Sequence, residues 1–494
     1  MAIWGISALS HDASITVVED DKILFAGHAE RYSKNKNDKF LHADLIKEAN
    51  KYGAPDKIVW FEKPLKKKLR QAITGEWGEV KNSLPKKYLE SCGLTSNIEY
   101  VDHHLSHACG GYFTSGFEHA SILVVDAIGE FVTTSIWSAT GSELKNIFSQ
   151  KYPHSIGLFY SAITHRVGLK PNEEEFILMG MAAYGTPRFY DDILRDLIDI
   201  NSAPYFEVKR NLHMGCLDWM ADKIVTDQDK YDLAASAQQV VEDYMLASAW
   251  WIASNLPFKN LVISGGVALN CVANEKIAAM AKYGKKIFNS VWIMPNPGDA
   301  GSSLGAVATS LGRKLKWEGP YLGTNIDRPF ETQKILESIR TNKICALANG
   351  RAEFGPRALG NRSLIADPRG ATIKDQVNDI KKRQRFRPFA PMVLEEFAHE
   401  FFDLPVESSP YMQFTAKCKT PELLPAICHA DGSSRVQTVN KEQNENIYNL
   451  IREFYNRTGC PILLNTSLNV KGQPLVDTWQ DAEDFKKKYN VEIF

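Results

Sequence analysis

The chain opens on an apolar run over residues 2–9, a β-rich stretch over 14–18 and, past the acidic turn Glu19-Asp20-Asp21, a third strand pattern over 22–26. Strand and helix patterns then alternate until a second β-rich unit begins at Ala120, as SILVVDAIGE followed by FVTTSIWSA. Each unit starts with a strand that feeds a polar or glycine-bearing turn and returns as a strand. The pattern therefore predicts two related halves, although no residue-by-residue repeat links them. Residues 231–256 contain no Gly or Pro and favour a long helix. A short buried-type strand over 261–264 meets Gly265-Gly266 and a helical run from Val267. Another, over 291–294, ends at Pro295-Asn296-Pro297-Gly298 and leads into a small-residue helix over 300–311. Strand, glycine turn and helix in that order bring backbone N–H groups to a phosphate. Residues 314–328 read as loop, with Gly319-Pro320 and Gly323. They predict a boundary between a domain over 1–320 and a mixed α and β domain over 326–494.

Five groups of residues carry candidate chemistry. In Asp102-His103-His104-Leu105-Ser106-His107, His103 and His107 are four apart. On a helix they share a face and reach one metal ion; a capped helix start with a buried histidine is the alternative. Neutral imidazole suits iron or zinc, and the lack of a zinc peptidase's glutamate sets that reaction aside. Asp299, in PNPGDAGSSLGA, heads a helix either as its N-cap or as a hard metal ligand. Gly265, Gly266 and Asn270 of ISGGVALN fit a phosphate or ribose, or else a tight turn; they make neither a Walker A loop nor a G-x-G-x-x-G fingerprint. Asp126 and Gly129, in the turn that opens the second β-rich unit, are candidates for the same nucleotide. His11, at the end of the first strand, is placed for general base chemistry or for a bond to the turn backbone. Finally, GRAEFGPRALGNRSLIADPRG and IKKRQRFRPFAP gather Arg357, Arg362, Lys381, Arg383 and Arg387, with Arg435, Ser467 and Asn469 following. Arginine suits bidentate phosphate recognition and lysine point-charge stabilisation.

Composition narrows the ligands. With 44% hydrophobic and 24% charged residues, the 494-residue chain predicts ordinary cores. Its formal net charge of −1 removes the bulk basic signal of a nucleic-acid binder, so the arginine cluster is assigned to a phosphate-bearing small molecule rather than RNA. The 8 cysteines form no C-x-x-C pair. The opening residues lack a signal peptide's basic start and apolar run, and no apolar stretch approaches the roughly 18–20 residues that span a bilayer. The expectation is a cytoplasmic protein with free thiols and no membrane partner; oligomeric state is left open.

The motifs together resemble the O-carbamoyltransferases of the nodulation and cephamycin type. The blocks are HDAS at His11, DHHLSHA at Asp102, PHSIGLFYSAIT at Pro153, MGMAAYG at Met179, SGGVALNCVAN at Ser264, PGDAGSSLGA at Pro297 and EFGPRALGNRSLIADPR at Glu353. RPFAPMV at Arg387, DGSSRVQTV at Asp431 and LLNTSLNVKGQPLV at Leu463 follow in family order, so the likeness spans nearly the whole chain. The resemblance implies an α/β fold: an actin-like, sugar-kinase-type duplicated N-terminal domain and a smaller α+β YrdC-like C-terminal domain. It implies that carbamoyl phosphate and ATP give carbamoyl adenylate at Arg357, Arg362, Lys381, Arg383, Arg387, Arg435, Ser467 and Asn469. It implies that His103, His107 and Asp299 hold a divalent metal, with Fe²⁺ expected and Mg²⁺ an added candidate, and that His11 deprotonates a hydroxyl acceptor. The sequence departs from the family at ERYSKNK near residue 30 and at Ile177, where relatives usually carry Arg-x-Lys-His and a lysine. The acceptor is left open among aminoglycosides, cephems, lipo-oligosaccharides, toxin alcohols and nucleosides. A threonylcarbamoyladenosine-type tRNA enzyme and a sugar kinase of the same superfamily are the competing readings.

Overall fold

Strand β1 (Ala2–Ser7) is buried along its whole length. It runs through the middle of its sheet, where an unbroken apolar run is stable and alternation is not needed. Around it stand β2 (Ser14–Glu19), β3 (Lys22–His28), β4 (Lys57–Trp60) and β5 (Asn97–Tyr100), in the order β3-β2-β1-β4-β5. β1 pairs antiparallel with β2 and parallel with β4, which pairs parallel with β5. A second sheet uses β6 (His119–Val125), β7 (Val132–Thr140), β8 (Glu143–Lys151), β9 (Asn260–Ser264) and β10 (Ser290–Trp292), in the order β8-β7-β6-β9-β10. β6 is antiparallel to β7 and parallel to β9, and β9 is parallel to β10. The two sheets match position for position. This is the pairing of related halves that the two strand-turn-strand openings predict, in the actin-like arrangement that the family resemblance implies.

The computed structural model describes residues 1–80 and 84–494. The chain divides into two units, one of Met1–Phe25 with Lys39–Trp317 and the other of Ala26–Asp38 with Glu318–Phe494. The first expected domain, 1–320, thus gives up residues 26–38 to the second unit. Polar anchors within that unit hold them: Arg31 Nη2 donates to Gly355 O at 2.9 Å, Tyr32 OH meets Thr324 Oγ1 at 2.7 Å, and Lys34 pairs with Asp481 at 2.6 Å. The divergent ERYSKNK block therefore belongs to the second unit. The stretch read as loop over 314–328 contains a strand, Tyr321–Ile326, paired antiparallel with Gly350–Glu353.

In each half of the first unit a helix follows the fifth strand. Helix α1 (His103–Thr114) leaves β5, and α2 (Ser302–Leu311) leaves β10 through the single turn Asp299–Gly301. They cross where both are glycine. A Cβ on Gly305 would lie 2.1 Å from Ser106 O, and one on Gly110 would lie 3.1 Å from Gly305 Cα. Only glycine permits so close a backbone approach. The small-residue run of α2 is therefore a packing requirement, and its result is to bring the starts of α1 and α2 together. The long helix begins at Asp227 rather than at 231, because Thr226 and Asp229 form a capping box.

The second unit has a five-stranded sheet in the order Ile344–Ala348, Arg362–Ala366, Ile462–Ser467, Ala390–Leu394, Gln437–Val439. Its neighbours are antiparallel except for the last pair. The amphipathic helix Glu445–Thr458 buries Ile447, Leu450, Ile451 and Phe454 in the apolar core of this unit. Helices and strands alternate along this unit, around a mostly antiparallel sheet.

Candidate functional site

The first unit gathers four ligand-type residues from equivalent places in its two halves. His103 and His107 occupy the first turns of α1, and Asp299 sits in the turn that enters α2. Asp126 follows β6, just as His11 lies beyond β1. His103 Nε2 is 3.1 Å from His107 Nε2, 3.2 Å from Asp126 Oδ2 and 3.4 Å from Asp299 Oδ1. His107 Nε2 is 3.3 Å from Asp299 Oδ1. All four side chains are buried, with one ligand atom from each within 4.8 Å of the others. Sequence reasoning placed Asp126 at a nucleotide; the structure places it among the metal-type ligands.

These residues fit a divalent metal. With both rings neutral and their lone pairs on Nε2, the two imidazoles 3.1 Å apart and the two carboxylates converge on a point that one cation can share. Separations of 3.1–3.4 Å are what adjacent ligands with bonds of about 2.0–2.2 Å make. Nδ1 of His107 faces Ser302 Oγ at 3.4 Å, and the hydroxyl can accept Nδ1–H in the tautomer that leaves the lone pair on Nε2. The third histidine is different. His104 turns away to Ser135 Oγ at 2.9 Å, and burial together with the charge of His103 lowers its pKa to about 3, so it stays neutral.

Electrostatics bind the cluster together. Burial and the Asp299 charge push the Asp126 carboxyl up, but the hydrogen bond from His103 and the charges of both imidazoles bring its pKa down to about 2. Asp299 is held well below the ordinary carboxylate range against its own desolvation, chiefly by His103 and His11. Desolvation of His103 is outweighed by the Asp299 and Asp126 carboxylates, which raise its pKa well above the usual value. His11 Nε2 lies 3.4 Å from Asp299 Oδ2, and its Nδ1 is 2.9 Å from Asp12 Oδ2. The His11 side chain is half-exposed. Desolvation lowers its pKa, yet Asp299 and Asp12 raise it to about 10. The Asp299 carboxylate is the largest of the influences that raise it.

The predicted nucleotide residues divide. Gly266 N donates to Asp126 Oδ1 at 3.0 Å, so this glycine orients a ligand-type carboxylate. Gly265, at φ +89°, has its Cβ position 2.2 Å from Val125 O, which no side chain can occupy. Gly129 lies on the His103 ring, where a Cβ would come within 2.8 Å. Asn270 caps the helix Cys271–Ala279 and exchanges amide hydrogen bonds with Gln238 at 2.9 and 3.0 Å. Glu130, which sequence reasoning missed, accepts from Lys63 N at 2.8 Å and His103 N at 3.3 Å. It caps α1 because Asp102, the residue ahead of it, is drawn aside by Lys63 and Lys66.

In the second unit Lys381 is buried, and its ammonium donates to Ser467 O, Ser467 Oγ at 3.1 Å, Asn469 O at 2.9 Å and Asn469 Oδ1 at 2.9 Å. All four acceptors are neutral. Burial first, then Arg383 and Arg387, press its pKa well below the ordinary lysine value. Arg383 is lowered in the same way by burial, Arg387 and Arg435, while donating to Asn378 Oδ1 at 2.7 Å and lying over the Phe389 ring. Lys381 and Arg383 are thus each lowered by burial and by neighbouring guanidinium charge. Arg362 is not part of this group. Its guanidinium, wholly buried, donates to the carbonyls of Asp477, Asn349, Gly350, Asn361 and Thr324 at 2.8–3.2 Å. The expected phosphate ligand is instead a strut that ties five backbone segments together. Arg357 is half-buried on the turn that follows Gly350–Glu353.

Residues 65–308 match the family described as carbamoyltransferase N-terminus, and residues 336–494 match carbamoyltransferase C-terminus. The protein sll1178 of Synechocystis sp. is 34% identical over 97% of this chain and 93% of its own length. The nodulation protein NolO of Bradyrhizobium diazoefficiens is 32% identical over 77% of this chain and 75% of its own. Among solved structures, T. kodakarensis HypF is similar at 11% identity, covering 63% of this chain and 47% of that one with a TM-score of 0.38. Both units are thus accounted for by one enzyme family, and this chain belongs to the carbamoyltransferases.

Proposed function

We propose that the protein is an ATP- and carbamoyl phosphate-dependent O-carbamoyltransferase acting on a hydroxyl of a small molecule. The observation that carries this reading is the buried His103–His107–Asp126–Asp299 cluster with His11 at its edge, in the part that matches the carbamoyltransferase N-terminus. The second unit's YrdC-like signature residues take the first half-reaction. Carbamoyl phosphate yields carbamate and phosphate with one water; a carbamate oxygen then bonds to the α-phosphorus of ATP, and pyrophosphate leaves. Arg383, Arg387, Arg435 and Arg357 neutralise the phosphates, and Lys381 fixes Ser467 and Asn469, which orient the nucleotide.

The first unit takes the second half-reaction. His103, His107, Asp126 and Asp299 hold a divalent metal, Fe²⁺ in this reading, which when bound supplies Lewis-acid polarisation and an anchor for phosphate. His11 accepts the proton of the acceptor hydroxyl, whose oxygen bonds to the carbamoyl carbon as AMP departs. Gly266, Gly129 and Glu130 keep the ligand side chains in place.

Incubation with carbamoyl phosphate, ATP and a panel of alcohols should give a product heavier by one carbamoyl group, with AMP and pyrophosphate. ADP with a phosphorylated alcohol would replace this reading by a sugar kinase. Modification of tRNA with no small-molecule product would replace it by a tRNA enzyme. His11→Asn is expected to slow transfer by about 10²–10⁴-fold with little change in nucleotide affinity. An unchanged single-turnover rate would assign the proton to another group.

A further inference from the structure

The loop between β1 and β2 carries His11 in a conformation that its own residues do not favour. Leu9 and Asp12, on either side of it, hold left-handed backbone at φ 67° and 53°, a region that residues other than glycine enter at a cost. Such a loop keeps its shape where outside contacts over-determine it. Leu9 N donates to Lys39 O at 2.7 Å near one end, and Ser14 Oγ donates to Ala300 O at 2.6 Å just past the other. Between them the contact is made by a charged side chain: Lys67 Nζ donates to Ser10 Oγ, on the residue before His11. Lys67 lies in the helix Pro64–Ile73, and the same ammonium pairs at 2.6 Å with Glu62, in the turn that joins β4 to that helix. The Lys67 and Glu62 side chains are 12% and 5% exposed. β1 and β4 are parallel neighbours, so the two turns leave the same edge of the sheet.

We propose that Lys67 is a positioning residue for the reaction. The chain Glu62–Lys67–Ser10 fixes the β1–β2 loop so that the His11 imidazole keeps its place 3.4 Å from Asp299, at the edge of the ligand cluster. This deepens the reading of His11 as the base for the acceptor hydroxyl and rests on that reading. An ion pair that served stability alone would be complete at Glu62. This ammonium also reaches the hydroxyl beside His11, and so ties the loop to a buried carboxylate on the neighbouring strand's turn. His11 needs such a tie because its side chain is 48% exposed, so packing does not fix the ring and its aim follows the loop. Aim matters because a general base must stand within hydrogen-bond reach of the proton it takes, and a displacement of about 1 Å costs on the order of 10²-fold in rate. Lys67 touches no reacting atom in this role and acts through Ser10.

Two variants of the full chain and two readouts test it. Ser10→Ala removes the contact and leaves the Glu62–Lys67 pair intact. Lys67→Met with Glu62→Gln removes the whole tie and leaves no buried charge unpaired. The first readout needs no acceptor: diethyl pyrocarbonate modifies imidazoles, and peptide mass mapping follows each histidine by itself. In both variants His11 should be modified about threefold faster or more, as a loosened loop allows, while the exposed His119 and His399 keep their rates. Unchanged modification of His11 would overturn the inference, and so would an equal rise at all three histidines, which marks general loosening. The second readout is single-turnover carbamoyl transfer to the alcohol that forms product in the panel above. Both variants should lose about tenfold or more in rate with KM within about twofold, because the base is misplaced and binding is not. In the His11→Asn background Ser10→Ala should cost nothing further, since the group it aims is gone. Additive losses, with His11→Asn itself slow, would overturn the inference and leave the base assignment standing. A His11→Asn protein as fast as wild type would remove that assignment and the inference with it.

Discussion

Replacing His103 and His107 together by alanine should strip the protein of bound divalent metal and lower carbamoyl transfer by about 10²–10³-fold or more, the loss that follows removal of a preorganised electrostatic stabiliser. The two imidazoles supply both nitrogen ligands, and Asp126 and Asp299 alone form a hard oxygen pair with weaker hold on a transition metal. The fold should persist. Without the imidazoles, desolvation and the Asp299 charge raise the Asp126 carboxyl, while Asp299 keeps its pairing with His11. Circular dichroism checks that point, and elemental analysis of the purified variant decides the main one. Stoichiometric metal retained in the double variant would remove the cluster from consideration as the metal centre.

The second large effect concerns which half-reaction each unit performs. Arg387→Ala should abolish pyrophosphate release from ATP plus carbamoyl phosphate, since a charge-assisted contact to a phosphate in a desolvated place is worth a few kcal/mol. The same variant should still transfer the carbamoyl group when given carbamoyl adenylate directly. Lys381→Ala should show the same split, but with added structural cost, because its ammonium holds both Ser467 and Asn469. Lys381→Met, which keeps the stem, separates the two contributions. His103→Ala should do the reverse: pyrophosphate appears and little carbamoylated product forms. Rapid-quench measurement of both products distinguishes the cases. If both classes of variant lose the same half-reaction, one composite site replaces the two proposed here.

The duplication was legible because each half begins with the same local grammar: strand, turn, strand. It left no residue repeat because a sheet core asks only for apolar volume, which Ala2–Ser7 and His119–Val125 supply with different side chains. The H-x-x-x-H pair was legible from helical spacing alone. Asp126 was not, because its ligand position depends on a match between the turns after β1 and β6 that emerges only when the sheets are superposed in the mind. Nor can sequence separate Arg383 from Arg362. Both sit in basic, glycine- and proline-rich runs, but the acceptors of Arg362 lie at 324, 349, 350, 361 and 477, and only folding assembles them. The 26–38 excursion escaped notice for a related reason. Hydrogen bonds and an ion pair anchor it, and hydrophobic patterning is blind to these.

The crossing of α1 and α2 at Gly110 and Gly305 has a consequence for how this protein can evolve. Each ancestral copy contributes donors of one kind: the first both nitrogens, the second both carboxylate oxygens. Neither half carries the whole set of ligand-type residues, so neither can change the set unaided. A change that hardens or softens the ligand set in one copy must be met by the other, across a contact with no room for a methyl group. The glycines thus work as a lock on inheritance, making the two halves answerable to one shared geometry.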